Sequence, residues 1–117
     1  MSDVLDRASA GIERELGDRP LIAARLHHTI GMTYQSLGRY ASAEQHLDEA
    51  LQTRRRVLGD EHPATLTSMD GAAQLLLAQG LFDQAEPVFT DTLAHRRRVL
   101  GREHADTLES ESNLASL

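Results

Sequence analysis

The sequence predicts an all-α protein in which pairs of antiparallel helices stack into a solenoid. The stretch RRRVLG at residues 54–59 returns at residues 96–101, a spacing of 42 residues, and periods of about 20 to 50 residues are typical of solenoids. Only 3% of the residues are aromatic, which favours closely packed helices with an aliphatic core. Single glycines also recur at even intervals, half a period apart, as helix ends would: Gly17, Gly38, Gly59, Gly80 and Gly101.

Length and composition limit the classes of protein and of function. At 117 residues the chain is one domain in length, enough for one continuous core. Its formal net charge of −6 repels phosphate backbones, so we expect no nucleic-acid partner. The absence of cysteine excludes disulfides, thiolate metal sites and cysteine nucleophiles. The N-terminus lacks the basic-then-apolar order of a signal peptide, and no apolar run approaches the roughly 18 residues of a membrane span. We therefore predict a cytoplasmic protein with no membrane association.

The first half of the chain is predicted to contain three helices. Residues 3–16 match residues 45–58 at the 42-residue offset, which makes them the second helix of an incomplete unit. Two helices follow, near residues 21–37 and 41–58, and form a complete pair.

The second complete pair begins near Pro63, in a stretch that runs to Gln79 and is followed by Gly80 as a helix breaker. Its apolar residues have the spacing of one helical stripe: Leu66, Met69, Ala72, Ala73 and Leu76.

The last complete helix is predicted to run from near Asp83 to Leu100. The Asp83 carboxylate is expected to cap it, with Glu86 closing a capping box. Pro87 is tolerated in the first turn, and Gly101 is expected to take a left-handed stop. A final helix is predicted over residues 105–117. The chain therefore divides into a half repeat (3–18), two repeats (21–60 and 63–102) and a second half repeat (105–117) within one array, residues 1–117.

The spacing of small and large residues in the first complete pair resembles the tetratricopeptide repeat (TPR) family: Ile30, Gly31, Tyr34, Gly38, Tyr40, Ala43, Leu47 and Ala50. The 42-residue period and the EHPAT linker at residues 61–65 resemble the kinesin light chain class of TPR, which also occurs in bacterial regulatory proteins. The resemblance implies a right-handed superhelix whose first helices line the concave side.

By the same resemblance, residues beside the core stripe of the first helices would meet an extended or helical peptide. These partner-binding candidates are Arg25, His28, Met32, Gln35, Thr67, Asp70, Gln74 and Leu77. Only Arg25 is basic, so we expect no clamp for acidic C-terminal tails of the kind that some TPR proteins carry.

Two repeated polar motifs have both a structural and a functional interpretation. The RRR stretches fit solvated helix ends that match the helix dipole, with a partner patch as the alternative. His62 and His104 fit helix caps; the alternative is a metal site, which two such histidines one unit apart cannot complete. We predict neither a metal nor a cofactor.

A third pattern has the composition of a catalytic triad: His28, Asp70 and Ser112 recur at the 42-residue offset. Equivalent positions on stacked helices are too far apart for the contacts of about 3 Å that a triad needs. We therefore predict no enzymatic activity.

The sequence thus predicts a protein-binding module or scaffold. Two alternatives remain open. One is a structural array that self-associates through an exposed apolar face at Leu108, Leu114 and Leu117. The other is a regulatory fragment of a larger signalling protein, such as a bacterial Ser/Thr kinase. Because both termini carry half repeats, we expect the chain to be part of a longer array.

Overall fold

The computed structural model describes residues 2–117, with side chains from residue 4 onward. Its helices are, in chain order, α1 (Ser2–Leu16), α2 (Pro20–Ser36), α3 (Tyr40–Leu58), α4 (Pro63–Ala78), α5 (Phe82–Leu100) and α6 (Ala105–Ala115). Each helix packs on the next in sequence, and α2 also contacts α4, as expected for stacked pairs. No strand occurs in residues 2–117, so the all-α prediction is confirmed.

The turn inside each pair is closed by backbone hydrogen bonds. After α4, the Leu81 N–H donates to the Leu76 carbonyl at 2.9 Å, the long bond of a Schellman motif. This bond places Leu81 at the N-cap, so α5 begins at Phe82 and has no side-chain cap. The predicted capping box of Asp83 and Glu86 is therefore wrong. Asp83 instead lies inside the first turn, where its charge faces the positive end of the helix.

The turn between pairs depends on a glycine and a histidine in each copy. Gly59 and Gly101 both have φ of 91°, with ψ of 167° and 161°, a region that only glycine occupies readily. Gly101 thus has the predicted positive φ but extends the chain instead of making a left-handed helical stop. The Nδ1 atoms of His62 and His104 each accept the backbone N–H two residues further on, at 3.0 Å. Their structural interpretation as helix caps is confirmed.

The first arginine of each RRR stretch is buried. Arg54 donates to the Ser68 hydroxyl at 2.9 Å and Arg96 donates to the Ser110 hydroxyl at 2.7 Å. Each arginine also donates, at 3.2 Å, to a backbone carbonyl in the first turn of the helix that carries this serine. The solvated interpretation is therefore wrong for these two arginines, which join one pair to the next, whereas the other arginines of both stretches are exposed.

Small residues let the helices of a pair approach closely. A Cβ atom at Gly31 would lie 2.7 Å from Leu47 Cγ, below any normal contact distance. Only glycine therefore fits between α2 and α3 at this level. Around this contact the apolar core includes Ile30, Tyr34 and Ala43.

The C-terminal end is partly apolar. Leu108 and Leu117 are 50% and 41% exposed, and Leu117 lies beyond the end of α6. Leu114, by contrast, packs against the cluster that contains Phe89, so it does not belong to an exposed apolar face as predicted. Throughout residues 2–117, every helix is too short or too polar to cross a bilayer.

Candidate functional site

The first helices of the two complete pairs, α2 and α4, meet at a glycine. A Cβ atom at Gly71 would lie 3.0 Å from His28 Cε1 and 3.6 Å from Met32 Sδ. Two of the predicted partner-binding residues of α2, His28 and Met32, therefore lie against α4. This contact makes α2 and α4 one continuous face.

Asp70 connects this face to α5 and α6. It is 3% exposed, and its carboxylate accepts hydrogen bonds from Gln74 at 2.6 Å and from Asn113 at 3.2 Å. Arg96 Nη1 lies 3.8 Å from the same carboxylate. With its oxygens occupied inside the protein, Asp70 supports the face and does not offer its charge to a partner, unlike the sequence prediction.

The other predicted residues remain accessible to different degrees. Arg25 is exposed, and the rest are partly exposed: His28, Met32, Gln35, Thr67, Gln74 and Leu77. Ser112, the third residue of the row with triad composition, is exposed, and its carbonyl accepts a hydrogen bond from the Ser116 hydroxyl.

Two polar atoms on the α2 side of the face are unpartnered. His28 Nδ1 and Gln35 Oε1 are both buried and have no hydrogen-bond partner among the described side chains and backbone. Burial and the nearby positive charge of Arg54 lower the pKa of His28, and Asp70 opposes them. Because its pKa is lowered from an ordinary value of 6.5, the imidazole is neutral at pH 7. Unpartnered buried polar atoms are uncommon in folded proteins. Both atoms are closed off from the surface here, so each can bond an incoming group only after its side chain, which is partly exposed, rotates outward.

A wide cleft lies elsewhere. It has a volume of about 550 Å³, lies between α3 and the α4–α5 pair, and contains none of the predicted partner-binding residues. Its floor is formed by side chains such as Leu47 and Leu75, which already belong to the core, and Glu44 and Asp48 line it from α3. The cleft is thus a seam between successive pairs.

Sequence reasoning missed a polar cluster where α1, α2 and α3 meet. His27 and His46 are buried and contact each other, and Glu13 and Glu49 lie beside them. The signal that could have found it is a difference between repeats, because the equivalent positions one period after the two histidines are Met69 and Val88.

A comparison with known families agrees with this architecture. The family model of the tetratricopeptide repeat matches residues 22–97, which span nearly all of α2 through most of α5. The chain belongs to the tetratricopeptide repeat family. TPR units are non-catalytic modules that generally mediate protein–protein interaction. None of the curated proteins matches the chain.

Proposed function

We propose that this TPR protein binds a peptide segment of a protein partner on the face formed by α2 and α4. We call this surface the binding face and define it by Arg25, His28, Met32, Gln35, Thr67, Gln74 and Leu77. Membership of the family supports protein binding in general. The choice of this surface rests on the side chains that α2 presents there.

The observation that carries the proposal is the pair of unpartnered atoms, His28 Nδ1 and Gln35 Oε1. Residues seven apart on a helix lie on one side of it, two turns apart, about 10 Å along the axis. An extended peptide rises about 3.3 Å per residue, so about three of its residues span that distance. Its backbone N–H groups and side chains can bond the Gln35 oxygen and the neutral His28 imidazole once these two partly exposed side chains rotate outward.

The chemistry of the binding face indicates a partner segment that contains both an acidic and an apolar residue. Met32 and Leu77 offer partly exposed apolar surface, and the Gln74 amide is held by Asp70. Arg25 is the one cation in the binding face as defined. A segment with a carboxylate near one apolar residue would therefore suit it better than a strongly basic segment.

The test is capture of partner proteins from a lysate by the wild-type chain and by Arg25→Glu/Thr67→Glu. These substitutions place one carboxylate on α2 and one on α4, without touching the buried Asp70. The matched control is Arg56→Glu/Thr90→Glu, which makes the same two replacements at exposed positions of α3 and α5. Circular dichroism first establishes that all three chains are equally helical.

We expect the first variant to lose a partner that both the wild type and the control retain. Equal capture by all three chains would contradict the proposal. Loss in the control alone would move the site to the second helices of the pairs, α3 and α5.

The repeat class and the cellular location of the chain are also proposals. We propose a cytoplasmic protein of the kinesin light chain-like class found in bacterial regulatory proteins, on the basis of the 42-residue period and the linker.

Self-association is the alternative that an observation favours, because Leu108 on α6 is half-exposed. Analytical ultracentrifugation of Leu108→Glu tests it: a mass equal to that of the wild type would exclude association through this residue.

A further inference from the structure

A chain of four polar side chains crosses the junction of α1, α2 and α3. His27 Nδ1 and His46 Nδ1 are 2.8 Å apart, and His46 Nε2 lies 2.9 Å from Ser9 Oγ. At the other end His27 Nε2 lies 3.3 Å from Glu13 Oε1. Both imidazoles are more than nine-tenths buried.

The contact between the two Nδ1 atoms limits the tautomers of the two rings to two combinations, because one of these atoms must donate the hydrogen bond and the other must accept it. If both rings are neutral and His46 Nδ1 donates, His27 Nε2 carries a proton and donates it to Glu13. If His27 Nδ1 donates instead, its Nε2 has a free lone pair, and His46 Nε2–H donates to Ser9. The second arrangement prepares His27 Nε2 as a metal ligand without breaking the bond between the rings.

The repeat shows that the fold does not need these polar groups. One unit further along, the positions of Ser9, His27 and His46 are occupied by Leu51, Met69 and Val88, and Leu51 and Met69 pack in an apolar cluster. Burying polar groups instead of apolar ones costs stability. The histidine pair is therefore a departure from the repeat at this junction alone.

Two carboxylates complete the cluster. One ligand atom from each of Glu13, His27 and Glu49 lies within 4.8 Å of the other two. A cavity of about 290 Å³ opens at this point, and no lysine or arginine lines it. Glu49 forms no ion pair within the part of the chain whose side chains are described. Two acids and one imidazole thus face one small space, with no positive side chain among those that line it.

We propose that Glu13, His27 and Glu49 bind a divalent transition-metal ion of the Zn²⁺ type, with one ligand from each of α1, α2 and α3. Imidazole nitrogen together with carboxylate oxygen is a ligand set that Zn²⁺ accepts, with bonds of about 2.0 to 2.2 Å. The carboxylates are on exposed side chains, so small rotations bring their oxygens to that distance. His46 orients the His27 ring through Nδ1, as the partner of a ligating histidine commonly does. Three protein ligands leave a fourth position for water or for a donor group of a partner.

The ion would fasten α1 to the first complete pair. Within the described residues α1 packs mainly against α2, and Ser9 links it to His46 of α3 by a hydrogen bond. A ligand on α1 and another on α3 would therefore add a second connection between α1 and α3. This inference concerns a different surface from the binding face and does not depend on peptide binding.

The test is a Zn²⁺ titration of the full chain at pH 7.5, read by competition with a chromophoric chelator. The variants are Glu49→Gln and Glu13→Gln, whose side chains are exposed and whose loss should not disturb folding. The matched control is Asp91→Asn, because Asp91 is the exposed residue one unit beyond Glu49. Histidine ¹⁵N spectra show which ring nitrogen the ion contacts.

We expect one Zn²⁺ per wild-type chain, a shift of the His27 Nε2 signal, and an affinity at least about 10-fold weaker in each glutamate variant. The Asp91→Asn chain should bind as tightly as the wild type, and Mg²⁺ should not compete. No binding by the wild type would overturn the proposal. An affinity unchanged in both glutamate variants would do so too, since it would indicate an adventitious ion only, on exposed histidines such as His62 or His104.

Discussion

Replacing Arg96 by methionine is expected to destabilise the chain far more than the same change at Arg54, although the repeat places both residues at one position. Each arginine donates two hydrogen bonds to the helix that follows, a buried one to a serine hydroxyl and a partly buried one to a backbone carbonyl. Hydrogen bonds of a charged group contribute about 1.5 to 3 kcal/mol each, and the buried methionine side chain recovers about 1.5 to 3 kcal/mol of that. We therefore expect Arg54→Met to cost about 2 kcal/mol.

At Arg96 a further cost arises from Asp70. This carboxylate is 3% exposed, and Arg96 is the basic group that lies within 4 Å of it, at 3.8 Å. Removing one member of a buried ion pair costs about 3 to 5 kcal/mol in total, its lost hydrogen bonds included, because the other charge stays buried without compensation. Arg96→Met is thus expected to cost about 4 kcal/mol, a large share of the stability of a domain of this size.

The assay is urea unfolding followed by far-UV circular dichroism, with both single variants and the double variant Arg96→Met/Asp70→Asn. The amide of asparagine carries no charge, so the double variant avoids the cost of an uncompensated buried carboxylate and should regain about 2 kcal/mol, most of the difference between the two arginine variants. Equal costs for Arg54→Met and Arg96→Met would refute the reasoning, as would a double variant no more stable than Arg96→Met alone.

Two further predictions concern a close contact inside a helix pair and the cap of a helix. Gly31→Ala should cost about 1 to 3 kcal/mol in thermal or urea unfolding, because its Cβ would lie 2.7 Å from the Cγ atom of the buried Leu47 and overpack the pair. In a Leu47→Ala background the cost of the Gly31 substitution should fall but not vanish, because the Cβ would still lie 3.1 Å from the backbone nitrogen of residue 47; an equal cost in both backgrounds would contradict this. His104→Ala should cost about 1 kcal/mol by removing the cap of α6, seen as faster amide hydrogen exchange in the first turn of α6, whereas unchanged exchange there would show that the cap contributes nothing.

The helices could be predicted because their signals are local. The glycine at a helix end, the apolar stripe of a helix and the histidine before Pro63 are each read from a few neighbouring residues. The observed bounds of α4, Pro63–Ala78, lie within one residue of the prediction. The capping box at Asp83 failed because α5 starts earlier: the Leu81 N–H donates to the Leu76 carbonyl of α4, and Leu81 is the N-cap. The Asp83–Glu86 pattern includes neither of these two residues.

The burial of charged residues could not be predicted in the same way. An arginine near a helix end is usually solvated, and only the position of its neighbours in space makes Arg96 a buried donor. The same holds for Asp70, whose partner Asn113 is 43 residues away. A comparison of the two copies would have helped, since Ser68 follows Arg54 at the same separation at which Ser110 follows Arg96.

The two copies also separate what the fold requires from what this protein adds. Features that recur at the same offset, such as the Arg54–Ser68 bond and the His62 cap, hold successive pairs together in both places. They are poor candidates for function, because the fold alone accounts for them. Features that differ between copies at equivalent backbone positions have no such explanation. His28 is matched by Asp70, and His27 is matched by Met69. The binding face and the histidine–glutamate cluster both contain such differences, which is why substitutions there, with exposed positions outside both surfaces as controls, can test function without testing the fold.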